Sequence, residues 1–261
     1  MSNVRHVELA VRDHAAWITI CRPERRNALA LATMTQLIEA FVDASARADV
    51  RAIVLTGAGE KAFCAGADLK ELDEREKQGL PPPLPMTGAQ RNVFEVILET
   101  GKPTIAAING VALGAGCELM LACDVRIAAR DALIALPEAK RGLGANFGSV
   151  ILPRMIPRAL AFEMLYTGTS ISAERALTLG LVNRVSDSST FRADVAAFVD
   201  EITANAPLTL QRFKIMNTRG WELPVHSALR LDAGPNPYLS EDRAEGVRAF
   251  LEKRAPCWKG R

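Results

Sequence analysis

Apolar and polar positions alternate along the chain in blocks that predict successive elements. Trp17-Ile18-Thr19-Ile20 is a short apolar run halted by Arg22-Pro23, which predicts a strand. Met34, Leu37, Ile38, Phe41 and Val42 then recur at helical spacing on one face, with Thr33 as the expected cap. Residues 52–56, closed by Gly57, predict a buried strand. Strand, helix and strand in this order predict a right-handed crossover in a parallel sheet. The run Gly79-Leu80-Pro81-Pro82-Pro83-Leu84-Pro85 suits neither a helix nor a central strand and predicts an exposed excursion.

Residues 89–100 predict a helix stopped by Gly101 and Pro103. A strand over 104–108 follows, then a turn at Asn109-Gly110 and a helix from about Gly114. Residues 125–128 and 133–136 predict two further short strands. From Phe191 onward the pattern is helical over 191–204, 208–218 and 240–253, with no strong strand between. The expected organisation is therefore an α/β core over 1–190 and an α-helical region over 191–261. No repeat of fixed period is visible.

Composition narrows the class. The chain has 261 residues, 49% apolar and 24% charged, enough for a large core and too apolar for global disorder. With 32 Lys and Arg against 30 Asp and Glu, it lacks the basic excess of a general nucleic-acid binder. Cys21, Cys64, Cys117, Cys123 and Cys257 are odd in number, form no CxxC pair and have no neighbouring histidine. That disfavours a disulfide framework and a zinc site and predicts a reduced, cytoplasmic setting with no metal. The least charged stretch, 103–117, is broken by three glycines and ends at Glu118, too short to span a bilayer, and the charges in 1–12 are too mixed for a signal peptide.

Familiar catalytic constellations are missing. His6, His14 and His226 lie in polar surroundings, there is no GxSxG elbow, and Gly57-Ala58-Gly59 lacks the rest of a phosphate loop. Gly114-Ala115-Gly116 has Leu119 where a dinucleotide fingerprint needs glycine. Carboxylates and backbone dipoles remain. Glu118 stands in a run that is apolar on both sides, where burial raises a carboxyl pKa, although a first-turn acid is also favourable to the helix dipole. Glu138 follows the 133–136 strand; alone it reads as a solvated strand-end acid, but beside Glu118 it would make a pair of split pKa. Two small-residue loops, 63–68 and 110–116, follow strands and allow backbone N–H groups to approach a ligand closely, or simply allow tight packing.

These motifs resemble, in order along nearly the whole chain, the enoyl-CoA hydratase/isomerase (crotonase) family. They are Arg22-Pro23 with Asn27-Ala28-Leu29, the loop 62–70, the block 102–124, Pro137-Glu138, Thr167-Gly168, Gly180-Leu181-Val182-Asn183 and the closing stretch 240–254. The resemblance implies an α/β spiral of β-β-α units with a C-terminal helical trimerisation region, assembled as a trimer or a dimer of trimers. It implies an acyl-CoA thioester substrate, with coenzyme A part of the substrate and no separate cofactor. The N–H groups of Ala67 and Ala115 would form an oxyanion hole. Ala65, Ala67, Asp68, Leu69, Lys70 and Gly114 would line the bound CoA ester, and Arg25 and Arg26 would meet its adenosine-phosphate part. Hydratases of the family carry both acids and isomerases commonly only the second. Glu118 and Glu138 thus favour syn addition of water to a 2-enoyl-CoA, Glu118 activating water and Glu138 protonating C2.

The sequence departs from the family pattern twice, with Ala115 in place of a middle glycine and Ala145-Asn146-Phe147-Gly148-Ser149 in place of a glycine-rich segment. Phe147 is therefore expected to shape the acyl pocket, together with the proline-rich loop. The alternatives are an isomerase, a hydratase-lyase for an aromatic or carnitinyl acyl group, or, from another class, an RNA-binding relative, which would need a basic face not found here. Phe250, Lys253 and Trp258 are expected near a neighbouring subunit's CoA site.

Overall fold

The computed structural model describes residues 4–84, 86–87 and 89–261. Strand β1 (Val7–Arg12) alternates apolar and polar residues and pairs antiparallel with β2 (Ala15–Ile20). Asp13 and His14 turn the hairpin with φ of 49° and 62°. The sequence reading began the sheet at Trp17 and lacked β1. Helix α1 (Leu31–Ala46) buries Leu37, Phe41 and Ala44, and β3 (Ala52–Gly57) returns parallel to β2, as the crossover requires. Thr33 does not cap α1: the Leu31 N–H donates to Glu71 Oε2 at 2.9 Å, so a carboxylate distant in sequence does the capping. Thr33 lies inside the first turn, buried, with Oγ1 2.9 Å from His6 Nδ1.

The chain then continues through β4 (Ala62–Cys64), α2 (Leu69–Lys77), α3 (Val93–Glu99), β5 (Thr104–Ile108), β6 (Val111–Leu113), α4 (Ala115–Ala122), β7 (Val125–Ala129) and β8 (Leu133–Ala135). A 3-10 turn (Glu138–Arg141) leads to α5 (Gly148–Met155), α6 (Arg158–Thr167), β9 (Ile171–Ser172), α7 (Ala173–Thr178) and β10 (Arg184–Ser186). Helices α8 (Phe191–Thr203), α9 (Pro207–Gly220), α10 (Val225–Ala228) and α11 (Glu241–Glu252) close the chain. Residues 79–84 are exposed and carry no helix or strand, whereas Pro85, the end of the expected excursion, lies outside the described residues. Helix α3 starts later than residue 89 because Asn92 accepts from the N–H groups of Phe94 and Glu95 while Glu95 reaches back to the Asn92 N–H.

Each of the pairs β3–β4, β5–β6 and β7–β8 places its first strand in a six-stranded sheet, order β1-β2-β3-β5-β7-β10. The second strand of each joins a four-stranded sheet, order β4-β6-β8-β9. A helix follows every pair, so the core is the spiral of β-β-α turns that the resemblance implies. The turns begin at residues 52, 104 and 125, and this uneven spacing hides the repeat from a search at fixed period.

The parallel strands read as continuous apolar runs because both faces are covered. Ile53, Leu55, Ala106 and Ile108 join Leu37, Phe41, Leu119 and Met120 in the main core. On the opposite face Val54, Ile105, Ala107 and Ile127 pack with Phe191, Val195 and Val199 of α8, so the helical stretch 191–261 begins on the sheet itself. Helix α9 is tied down by the buried Lys214, whose Nζ lies 2.8 Å from Asp124 Oδ2 and donates to Lys102 O at 3.0 Å. Trp258 is anchored on its own chain: its Nε1 donates to Ala204 O at 2.7 Å, and Arg51 donates to its carbonyl. Among the described residues no helix is long and apolar enough to cross a membrane.

Candidate active site

Three consecutive turns of the spiral meet at one point. The loop from β4 to α2 supplies Gly66 and Ala67, the β6–α4 junction supplies Gly114 and Ala115, and the segment after β8 supplies Glu138. Gly66 and Gly114 have φ of +96° and +55°, a backbone that side chains rarely adopt. Both also lie against the opposing loop. A methyl on Gly66 would sit 2.8 Å from Leu113 O and 3.6 Å from Ala115 N, and one on Gly114 would sit 3.0 Å from Glu138 Oε1 and 3.9 Å from Gly66 Cα. The structure thus brings together both small-residue loops and the second acid. Ala115, where the family pattern has glycine, opens α4 in ordinary helical conformation and tolerates its methyl without strain.

Neither Ala67 nor Ala115 spends its N–H on a protein acceptor among the described residues. Around Ala67, the Ala65 N–H donates to Arg26 O, the Asp68 N–H to Leu29 O, and Gly66 O accepts from the Leu29 N–H. The Ala115 N–H belongs to the first turn of α4, whose dipole makes that end favourable to negative charge. Two free N–H groups on touching loops suit an anionic oxygen.

Glu118 is in the first turn of α4 and only 5% exposed. Its Oε1 accepts from the N–H groups of Phe147 at 3.0 Å and Gly148 at 2.7 Å. Burial lifts its pKa to about 7, helped by the charge of Glu138 and opposed by those two hydrogen bonds. Glu138 is also buried and shifted upward, again by burial, against its own N–H and the charge of Arg141. Its Oε2 is buried and without a hydrogen-bond partner among the described residues. Two carboxyls raised in this way suit general acid and base roles.

The other expected residues divide. Asp68 is committed to structure: Oδ2 pairs with Arg22 at 2.8 Å and Oδ1 accepts from the N–H groups of Lys70 and Glu71, capping α2. Burial would raise its carboxyl, but the Arg22 hydrogen bond and charge hold it below the ordinary value. Ala65 is half-buried beside Gly66, and Leu69 and Lys70 are exposed on the first turn of α2. Phe147 reaches the site through its backbone, while its buried ring stacks on Phe94 with centroids 5.4 Å apart. Arg25 and Arg26 are exposed in the 3-10 turn at Pro23–Arg25 and its cap. Arg26 lines a separate cavity of about 710 Å³ with Gly59, Lys61, Asn109, Asp131 and Arg192, to which neither acid contributes. Among the described residues no group of three or more His, Cys, Asp or Glu gathers to hold a metal ion.

Sequence reasoning missed Phe147 and Gly148 as backbone donors to Glu118, and Arg22 as the partner of Asp68. No local pattern announces the first. The second had a signal, an arginine at the head of the Arg22-Pro23 motif.

Residues 12–261 match the family model described as enoyl-CoA hydratase/isomerase. The (E)-benzylidenesuccinyl-CoA hydratase of Thauera aromatica is 39% identical, with 97% of this chain and 99% of that protein aligned. The carnitinyl-CoA dehydratase of Salmonella typhi is also 39% identical, over 94% of each chain. Among solved structures, the enoyl-CoA hydratase of Bacillus anthracis superposes with a TM-score of 0.87 at 32% identity, covering 98% of this chain and 100% of that one. The enoyl-CoA hydratase of Mycobacterium tuberculosis gives 0.87 at 35% identity, covering 98% and 99%.

Proposed function

The chain belongs to the enoyl-CoA hydratase/isomerase family, and we propose that it adds water reversibly, in the syn sense, to a 2-enoyl-CoA thioester, giving a 3-hydroxyacyl-CoA. The observation that carries this reading is the pair of buried, upshifted carboxylates beside two touching loops that each present a free N–H. In the proposed step the thioester oxygen lies between the N–H groups of Ala67 and Ala115. Glu118, oriented through Oε1, takes a proton from water as the water oxygen bonds to C3. The electron pair of the C2–C3 double bond moves toward the thioester, and the negative charge on its oxygen is held by the two N–H groups. Glu138 gives its proton to C2 as the enolate collapses. Proton in and proton out balance, so the chemistry calls for no separate cofactor.

Support for hydration over double-bond migration comes from the presence of both acids, since migration needs one group to move a proton between two carbons. Phe147, whose N–H donates to Glu118 and whose ring stacks on Phe94, stands in place of a glycine-rich segment and favours a second reading in which the acyl group is substituted. The names of the Thauera and Salmonella relatives point the same way. Leu69, Lys70 and Arg25 would meet the CoA ester at the rim. We further propose a homotrimer or a dimer of trimers built on the 191–261 region, which carries exposed Phe213, Trp221, Leu229, Tyr238 and Leu239. Five free cysteines, three of them buried, suit a cytoplasmic setting.

The test is the loss of conjugated-thioester absorbance with crotonyl-CoA, for wild type, Glu118→Gln and Glu138→Gln. Hydration by the wild type, reduced about 100- to 10,000-fold in each variant, is the expected result. A wild type that binds crotonyl-CoA without hydrating it, yet hydrates a substituted enoyl-CoA, would select the second reading. Full activity in either variant would overturn the two-acid mechanism.

A further inference from the structure

The loop that presents the Ala67 N–H has almost no structure of its own. Between β4 and α2 it is fixed wholly by the segment that follows β2. The Ala65 N–H donates to Arg26 O at 3.0 Å, the Leu29 N–H to Gly66 O at 2.8 Å, and the Asp68 N–H to Leu29 O at 2.9 Å. Leu29 and Ala67 form an isolated parallel bridge, outside either sheet. Two side chains brace the template segment, and one of them also reaches the loop. Arg22 donates through Nη1 to Ala28 O and through Nη2 to Asp68 Oδ2 at 2.8 Å. The pair is nearly dry, with side-chain exposures of 11% and 8%. Asn27, fully buried, completes the brace by accepting from the Arg22 N–H and donating to the carbonyls of Ala58 and Ala62. Arg22 therefore joins the two strands of the bridge from the side, one fork on each, at the residue immediately after Ala67.

We propose that Arg22 is a positioning residue for the reaction, setting the direction of the Ala67 N–H through Asp68 and the Leu29–Ala67 bridge. The assignment rests on the reading that Ala67 donates to the thioester oxygen. The geometry asks for arginine in particular. A planar fork reaches two acceptors in fixed directions, whereas a lysine ammonium is a point charge that serves one of them well. Asp68, in turn, has both oxygens occupied, so turning its carboxylate disturbs the α2 cap and the bridge together. Because the N–H is part of that backbone, a misdirected loop weakens the hydrogen bond formed as charge builds on the thioester oxygen. It leaves the two acids in place. The signature is a fall in kcat with little change in KM.

The experiment compares wild type, Arg22→Met, Arg22→Lys, Asp68→Asn and, as a control on the acid side, Glu138→Gln. Each is assayed for crotonyl-CoA hydration and for the infrared carbonyl stretch of bound butyryl-CoA labelled with ¹³C at the thioester carbon. That stretch moves to lower frequency when the oxygen accepts hydrogen bonds, whatever the stability of the protein. The expected result is a clear downshift in wild type and in Glu138→Gln, although the latter turns over poorly. The downshift should be reduced in Arg22→Met and Asp68→Asn, with kcat about tenfold lower and KM within about twofold, and intermediate in Arg22→Lys. If Arg22→Met does not fold, Arg22→Lys and Asp68→Asn carry the test. A full downshift and full kcat in the arginine variants that fold, with only a lowered melting temperature, would overturn the positioning role and leave the hydratase reading standing. No downshift in wild type would remove the oxyanion reading itself, and the assignment of Arg22 with it.

Discussion

Glu118, the proposed base, is a buried carboxyl held at a thermodynamic cost. Its pKa, raised to about 7 by burial, means that the folded protein binds the proton more tightly than the unfolded chain does. Stability due to this group is therefore complete below the ordinary carboxylate range and is lost as pH rises through about 7. Glu118→Gln keeps an oxygen for the N–H groups of Phe147 and Gly148 but cannot ionise. The variant should be more stable than wild type above pH 7, by on the order of 1–3 kcal/mol, with the gap closing toward pH 5. Urea unfolding at pH 5 and pH 8 checks this; an equal or lower stability at pH 8 contradicts it. The same substitution should abolish most turnover. Glu118 was legible as a single residue because it interrupts an apolar run, a conflict that sequence displays directly, whereas Glu138 only follows a strand and gained meaning beside Glu118. Arg22 and Asn27 were legible only as a motif, since their work is done against carbonyls 6 to 46 positions away, such as Ala28, Ala58 and Ala62, and the Asp68 carboxylate.

At the scale of elements, those with a packed face were readable and those held by their neighbours were not. α1 carries a helical period, and β3 and β5 carry unbroken apolar runs. β6 has three residues, too few to show a period, and the sequence reading ran the Asn109-Gly110 turn directly into α4. α2 is almost wholly polar and buries nothing, so the sequence reading held no helix there, and Asp68 shows itself as its N-cap only in the structure. α4 is the element on which the site depends most, and it rests directly on β4. A methyl on Gly116 would lie 2.1 Å from Cys64 O, a backbone atom that cannot swing aside. Gly116→Ala should therefore push α4 off β4, costing about 1–3 kcal/mol of stability and moving both the Ala115 N–H and Glu118. A tenfold or greater loss of kcat alongside a lower urea midpoint is the expected outcome. Asn92→Ala, which removes the capping box of α3 behind the Phe94–Phe147 stack, should cost about 1 kcal/mol and leave turnover nearly intact. A large activity loss there would show that α3 acts on the site through Phe94.

For the whole molecule, the division into core and helical region needs two forces of opposite kind. Inward, α9 is locked by the buried Lys214, which pairs with the exposed Asp124, and α8 by its apolar face on the sheet. Outward, Val225, Leu229, Tyr238, Leu239 and Phe250 are each at least 75% exposed, a concentration of apolar surface unusual for an isolated chain. Helix periodicity made this region's helices visible in the sequence, but it could not say which apolar residues face inward, because Phe191 and Phe250 sit in similar patterns and only the first meets the sheet. An exposed set of this kind is expected to be covered by further copies of the chain. Sedimentation should therefore give three or six copies, and Leu229→Asp with Leu239→Asp should lower that number while the far-ultraviolet circular dichroism stays unchanged. Lys214→Met acts from the other side. It removes the ammonium that donates to Lys102 O and to Thr104 Oγ1 and pairs with the exposed Asp124, and should cost about 1–2 kcal/mol, loosening α9 from β5 and β7. If the outward surface is an assembly surface supported by that lock, Lys214→Met should also weaken association, so that its unfolding midpoint rises with protein concentration more steeply than that of wild type. A wild type that sediments as a single copy at all concentrations would refute the assembly and leave those apolar residues in need of another partner.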